Sequence, residues 1–356
     1  MKKFKLLAIL VVAVAVIVAV VGYFWYQTIF GAPQGRAETE QVIVPLSVSD
    51  SNDLIAFLKD KGFIKNEYGF KIAFYKTLGL DVAIGKVSNT ICQDCFLPGA
   101  YKLSKSMNAW EISRAIKNQP YMKWVILSEG WRKEQMAEEL ASTLGWSDKE
   151  KGDWIEKNTA MDSDHIEGVY FPDTYLIPVD ETPSATAERL RKKFEEEFAP
   201  YAQDAIKQNV KWTTIIKIAS IIQREAGGKD DMPLISGIIW NRLLAGQRLE
   251  IDATVQYFVD TRNNYNGDEY VGEDARVNGW WQPPKLADIR TASPYNTYLN
   301  SGLPPHPICN PGLEAIKAAL NPTQTECFFY LHDSSGNIHC AKTYAEHLAN
   351  IAKYLK

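Results

Sequence analysis

Glu225 stands where the sequence leaves little room for water. The run from Thr213 to Ala226 spaces its apolar residues as a helix does. Ile218, Ile221 and Ile222 precede Glu225 by seven, four and three positions, so all four share one face. An apolar stripe that ends in an acid costs free energy unless the acid is paired or protonated. Gly227-Gly228 stops the predicted helix and leaves Glu225 in its last turn, where the dipole disfavours a negative charge. Desolvation and dipole both push the carboxyl pKa upward, which suits a general acid. The plainer reading is a helix-end Glu paired with a nearby Arg or Lys. Arg224 adjoins it in sequence but lies about 100° round the helix, so it need not neutralise the acid.

The segments around this acid are informative together. Ala219-Ser220-Ile221-Ile222-Gln223-Arg224-Glu225-Ala226 is followed by Asn241-Arg242-Leu243, by Gly246, and by Leu249-Glu250-Ile251-Asp252-Ala253-Thr254-Val255-Gln256-Tyr257. Upstream stand Ile166-Glu167-Gly168 and Tyr170-Phe171-Pro172-Asp173-Thr174-Tyr175. Downstream stand Ser293-Pro294-Tyr295-Asn296-Thr297-Tyr298, Gly302-Leu303-Pro304-Pro305, Asn310-Pro311-Gly312 and Lys342-Thr343-Tyr344-Ala345-Glu346-His347. In this order, from about Val42 to the C-terminus, they resemble the YceG-like family of membrane-anchored endolytic murein transglycosylases. Two departures stand out: Gln223 occupies a position where many members carry another Glu, and His306 replaces a Gly in the family's Leu-Pro-Pro-Gly-Pro.

The resemblance implies that Glu225 is the catalytic acid. The enzyme would cut the MurNAc–GlcNAc bond inside nascent peptidoglycan strands, leave 1,6-anhydro-MurNAc ends and so terminate elongation. Ordinary glycosidases use two carboxyl groups. A lytic transglycosylase manages with one, because the muramoyl 6-hydroxyl is the nucleophile, and intramolecular attack avoids much of the entropic cost of a second reactant. By resemblance Asp252, Thr254 and Tyr257 line the cleft, while Ser293, Tyr295, Asn296 and Thr297 offer neutral partners for sugar hydroxyls and N-acetyl groups. Asn241 and Arg242 lie on a second predicted helix, Pro233 to Leu244. Arg242 is expected to hold either Asp252 or a substrate carboxylate. Two rival readings are a muramidase in which Asp252 activates water, and a non-catalytic glycan-binding scaffold. The partners implied are glycan strands and, from the family alone, peptidoglycan synthases; no cofactor or metal is expected.

The elements that must position these residues read as α+β: an N-terminal transmembrane helix, a small LysM-like module and a mixed helix/strand catalytic domain. Residues 1–5 are expected to be cytoplasmic, 6–26 transmembrane, 27–40 a linker, 41–120 LysM-like and 121–356 catalytic. A strand–turn–helix signal recurs. Val42-Ile43-Val44 leads to the Ser49–Asn52 cap cluster and a helix through Leu54 and Leu58. Gly99–Leu103 leads to a helix capped by Asn108. Trp124–Leu127 leads to a helix through Met136, Leu140 and Leu144. Phe63 to Leu80 reads as one or two inserted amphipathic helices, about Ala187 to Gln208 as a charged helix, and Thr261 to Arg290 as loop or short hairpins.

Length and composition bound the rest. The 356 residues can hold two modest domains and an anchor. A net charge of -4 leaves no electrostatic footprint for nucleic acid. Lys2, Lys3 and Lys5 precede an apolar stretch from Leu6 to Trp25, about 20 residues, which matches a bilayer core. It exceeds the roughly 7–15 residues of a cleaved signal core, so a retained anchor is favoured over a removed leader. The lysines place the N-terminus inside and the remainder outside the cytoplasmic membrane. Five cysteines follow, and their odd number leaves at least one thiol unpaired or intermolecular. The pairing among Cys92, Cys95, Cys309, Cys327 and Cys340 is open. Cys92-x-x-Cys95 lacks the βαβ context of a redox motif, and a zinc set from Cys309, Cys340, His339 and His306 fits no standard spacing.

Overall fold

The computed structural model describes residues 2–80, 91–159, 167–266 and 269–355, and the chain divides into two compact units. The first holds Met1–Trp124 and Leu176–Val179, the second Val125–Tyr175 and Asp180–Lys356. Ile166, of the Ile166-Glu167-Gly168 motif, lies outside the described residues.

In the first unit α1 (Lys2–Phe30) contains one stretch, Ile9–Phe30, long and apolar enough to cross a bilayer. The glycine-bearing stretch read as a linker is seated on the unit: Phe30 stacks on Trp110 at 5.6 Å, and the Gln34 amide donates to the Lys105 carbonyl at 2.9 Å. There follow β1 (Thr39–Val44), α2 (Ser51–Asp60), α3 (Glu67–Leu78), β2 (Gly99–Ser104), α4 (Ala109–Lys117) and β3 (Met122–Ile126). With β4 (Thr174–Pro178) the strands form one sheet in the order β1-β2-β3-β4, and β1 runs antiparallel to β2 with Val42 opposite Tyr101. Local chemistry sets the helix starts. Asp50 accepts from the amides of Asn52 and Asp53, and Asn108 and Glu111 form a reciprocal capping box. Leu54, Leu58, Phe70, Phe74, Leu103 and Ile112 make the core. Phe63 to Leu80 contributes a single helix, α3. A LysM-like module is not distinguishable within this unit, whose core takes in α3 as well as α2 and α4.

The second unit is mainly helical. It holds α5 (Lys133–Leu144), α6 (Asp148–Asp153), a π-helical turn (Trp154–Asn158), α7 (Pro183–Lys207), α8 (Trp212–Glu225), α9 (Met232–Leu244) and α10 (Asp252–Asn264). Short pieces follow: β5 (Tyr265–Asn266), β6 (Glu269–Tyr270), α11 (Glu273–Asn278) and α12 (Leu286–Ile289). Then come α13 (Leu313–Leu320), the antiparallel pair β7 (Phe329–His332) and β8 (Ile338–Ala341), and α14 (Tyr344–Tyr354). Helix α8 lies at the centre, packed against α7, α9, α10 and α13. Its Ile215, Ile218, Ile221 and Ile222 are fully buried, as their spacing predicts. Helix α7 begins four residues before Ala187, because Thr182 caps it and Pro183 sits in its first turn. The segment after Thr261, read as loop or hairpins, also includes the end of α10 and two short helices.

Cys327 and Cys340 form a disulfide with Cα atoms 5.9 Å apart, whereas Cys92, Cys95 and buried Cys309 are free thiols. The zinc set considered from sequence therefore loses Cys340 as a ligand.

Candidate active site

Glu225 is the last residue of α8. The helix is ended by Ala226, whose backbone turns extended at ψ 135°, and neither Gly227 nor Gly228 takes a left-handed conformation. The carboxyl forms part of the wall of a cavity of about 460 Å³, within the range of small-ligand sites. Asp252, Glu250, Arg242, Tyr298, Tyr330 and His347 also line it.

Tyr330, Asp252, Ala253 and His332 act on this carboxyl. The Tyr330 hydroxyl donates to Glu225 Oε2 at 2.6 Å. The Ala253 amide, in the first turn of α10, also donates to it, and Asp252 adds a negative charge nearby. Burial raises the Glu225 pKa above the ordinary carboxylate value, the Tyr330 hydrogen bond opposes that, and the Asp252 charge reinforces it. The net direction is upward. No Arg or Lys forms an ion pair with Glu225 among the described residues. Arg224 lies with its guanidinium 4.2 Å from the centre of the Trp281 ring.

Asp252 faces the same cavity but is exposed, and its Oδ1 accepts from Tyr298 Oη at 2.7 Å. The expected Arg242–Asp252 pairing does not form. The Arg242 guanidinium instead donates to the Phe328, Arg248 and Leu249 carbonyls and meets Glu250 at 3.4 Å. The guanidinium is planar with donors in a fixed fork, and the turn after α9 and the segment before β7 offer carbonyls that match it.

The other predicted residues divide by location. Asn241 donates to the carbonyls of Thr325 and Cys327. Thr254 and Thr297 are buried, their hydroxyls 2.9 Å apart, and Thr297 Oγ1 also accepts from the Ile251 amide. Buried Asn296 donates to the Ile289 and Thr291 carbonyls and accepts from the Tyr298 amide, while Ser293 Oγ accepts from the Tyr295 amide. These polar groups fix the start of α10 and the loop that carries Tyr298. Asn241, Arg242, Thr254 and Thr297 thus converge on the frame around Glu225 and Asp252.

Tyr257 and Tyr295 lie elsewhere. Their rings are 4.8 Å apart, and the Tyr257 ring is 4.2 Å from the Arg132 guanidinium. Tyr257 helps to line a second, larger cavity of about 1320 Å³, together with Lys133, Glu134, Arg262, Tyr265 and Tyr270. Size alone would favour this cavity, but its chemistry does not. Its buried acid, Glu134, is bound to Arg132 at 3.0 Å, and the nearby cations hold its pKa below the ordinary value despite the burial. A carboxyl held ionised cannot deliver a proton near neutrality.

Tyr330 and Tyr298 escaped the sequence reading. Tyr298 ends a motif whose other residues carry the expected roles, and Tyr330 lies outside every motif. The available signal was the apolar, aromatic Phe328-Phe329-Tyr330-Leu331 run before Asp333-Ser334-Ser335-Gly336, a strand–turn pattern near the C-terminus. Other motif residues build scaffold. Asn310 Oδ1 accepts from the Gly168 and Tyr170 amides, and its Nδ2 donates to Glu167 at 2.6 Å. Gly168 has φ +90°, and a Cβ there would lie 2.8 Å from Ile216 and Pro307.

Comparison with known proteins adds an independent line. The YceG-like family model matches residues 47–353. Two curated relatives carry the name endolytic murein transglycosylase. One, from Bacillus subtilis (strain 168), is 27% identical over 324 residues, covering 87% of this chain and 81% of the relative. The other, from Streptococcus pneumoniae serotype 2 (strain D39 / NCTC 7466), is 23% identical over 297 residues, covering 72% of this chain; the chain spans 50% of that protein's length. The 2.6 Å crystal structure of a YceG-like protein from Listeria monocytogenes shares the fold, with a TM-score of 0.55 at 22% identity, covering 88% of this chain and 99% of that one.

Proposed function

This chain belongs to the YceG-like family, and on that premise we propose that it is an endolytic peptidoglycan lytic transglycosylase in which Glu225 is the one acid and base. The reading is carried by Glu225 itself: an acid at the end of an apolar helix stripe, its pKa raised by burial, on the wall of a 460 Å³ cavity. Protonated Glu225 gives its proton to the glycosidic oxygen between MurNAc and GlcNAc. The resulting carboxylate then takes the proton of the muramoyl 6-hydroxyl as that oxygen closes on the anomeric carbon. The product is a 1,6-anhydro-MurNAc end, formed without consuming water. One group can serve both steps because burial favours the protonated form that begins the reaction, and the proton taken from the 6-hydroxyl restores that form.

The remaining parts follow as proposals. The Ile9–Phe30 helix is a single membrane anchor in the cytoplasmic membrane, with the lysine-bearing N-terminus inside and the catalytic unit outside. There the enzyme meets nascent strands and works beside peptidoglycan synthases as a terminator of elongation. The first unit serves as a grip on glycan. One observation favours a second reading: Asp252 faces the same cavity, as a muramidase's water-activating carboxylate would.

Glu225→Gln tests the assignment. The amide is nearly isosteric but cannot donate a proton in the same way. The variant should keep its fold and glycan binding and lose cleavage. Retained turnover, or unchanged function in cells, would remove Glu225 from the chemistry and leave a glycan-binding scaffold.

A further inference from the structure

Resting on the assignment of Glu225 as the acid, we propose that Tyr330 is a positioning residue for that acid, and that Asn241, Arg242 and the Cys327–Cys340 disulfide form the frame that holds Tyr330 in place. The geometry comes from the β7–β8 pair. Tyr330 is the second residue of β7 and lies opposite Cys340, and its hydroxyl reaches Glu225 Oε2 at 2.6 Å. The approach to β7 is tied on two sides. From α9, Asn241 donates to the carbonyls of Thr325 and Cys327 at 2.8 and 3.0 Å, and Arg242 Nε donates to that of Phe328 at 2.6 Å. From β8, the disulfide fixes Cys327 to Cys340, the cross-strand partner of Tyr330. Thr325, Cys327 and Phe328 meet these contacts through main-chain carbonyls or a disulfide sulfur. Their common effect is to set the position of the next side chains along the strand.

A single-acid mechanism gives this contact a purpose. With Oε2 accepting from Tyr330, the carboxyl cannot rotate freely, and Oε1 becomes the oxygen that carries the proton. The same hydrogen bond stabilises the carboxylate once the proton has left. Other groups also bear on Glu225: Asp252 and the Ala253 amide from α10, and His332 from β7, itself 3.1 Å from Asp231. Glu250, Arg242 and Tyr298 line the same cavity. Of these, Tyr330 alone supplies a side-chain hydroxyl to the acid among the described residues.

The test is Tyr330→Phe in the full chain, read as a pH profile of kcat/KM on peptidoglycan strands, with Glu225→Gln in parallel. Removing a donor to the carboxylate raises the Glu225 pKa, so protonated acid persists to higher pH. The basic limb should move up by roughly one pH unit, and kcat on the plateau should fall on the order of tenfold from lost orientation. KM should be unchanged. Asn241→Ala should move the limb in the same direction by a smaller amount. A merely structural tyrosine would lower activity or stability without moving the limb. An unmoved limb in Tyr330→Phe beside an inactive Glu225→Gln overturns this proposal and leaves Glu225 intact. Turnover by Glu225→Gln overturns both.

Discussion

Arg132→Met puts a number on the charge cluster that seats α10. Arg132 is fully buried and meets Glu134, itself 1% exposed, at 3.0 Å. It also donates to the Tyr257 carbonyl at 2.9 Å and to Thr261 Oγ1 at 2.8 Å, so it grips α10, whose first turn faces Glu225. Methionine fills similar volume but leaves Glu134 with Tyr265 as its remaining side-chain donor, at 2.5 Å. Removing one member of a buried pair costs about 3–5 kcal/mol, because the other charge stays desolvated. For a unit of this size roughly 2–4 °C is lost per kcal/mol, so Tm should fall on the order of 10 °C. Replacing both charges, Arg132→Met with Glu134→Met, removes the stranded charge and should recover about 2 kcal/mol or more of the loss. The direction with pH follows from Glu134, whose folded pKa is depressed chiefly by Arg132. Such a group contributes stability above its unfolded value, and that stability is lost as pH falls. The gap between wild type and Arg132→Met should therefore narrow from neutrality towards pH 4. Urea and thermal unfolding of the three proteins across pH together read all of this. A double variant as unstable as the sum of the singles, or a gap that ignores pH, would refute the reasoning.

Three further outcomes follow. Burial and the charge of Glu134 push Glu167 up to about 8, so it is protonated at neutrality. Its stabilisation is fully present below the unfolded pKa and is lost as pH rises through the folded one. Glu167→Gln should cost under about 1 kcal/mol near pH 5 and, by flattening the stability loss between pH 5 and 8, should close or reverse that deficit by pH 7 in thermal unfolding. Asp252→Asn removes a charge that raises the Glu225 pKa; activity should drop only partly and its basic limb should shift to lower pH, whereas complete loss with intact folding would favour the two-carboxylate hydrolase. Asn108→Ala breaks the capping box of α4 and should cost about 1 kcal/mol, read as faster hydrogen exchange of the first α4 amides.

What the sequence made legible was periodic or local. The α8 stripe placed Glu225 on the face of Ile218, Ile221 and Ile222, because helix geometry alone decides that. Asn108 and the Asp50 cluster announced their helix starts through side-chain chemistry confined to three or four residues. The pairing of Cys327 with Cys340 and the reach of Tyr330 to Glu225, 105 positions away, depend on how the chain returns, which no local pattern encodes. The same limit explains Arg242. Its charge suggested an acidic partner, but its acceptors include the Arg248 and Leu249 carbonyls just after α9 and the Phe328 carbonyl, 86 positions later, just before β7. Polar motif residues such as Thr254, Thr297 and Asn296 looked like ligands for a sugar. Once buried, they satisfy backbone groups, because an unpaired buried polar group is costly.

The most direct measurement is mass spectrometry of the products released when purified peptidoglycan strands meet the wild-type chain. If Glu225 moves one proton out and one back with the muramoyl hydroxyl as nucleophile, the new ends are 1,6-anhydro sugars. They are one water lighter than reducing ends and inert to borohydride, and they are absent with Glu225→Gln. Reducible ends from the wild-type chain would contradict the account.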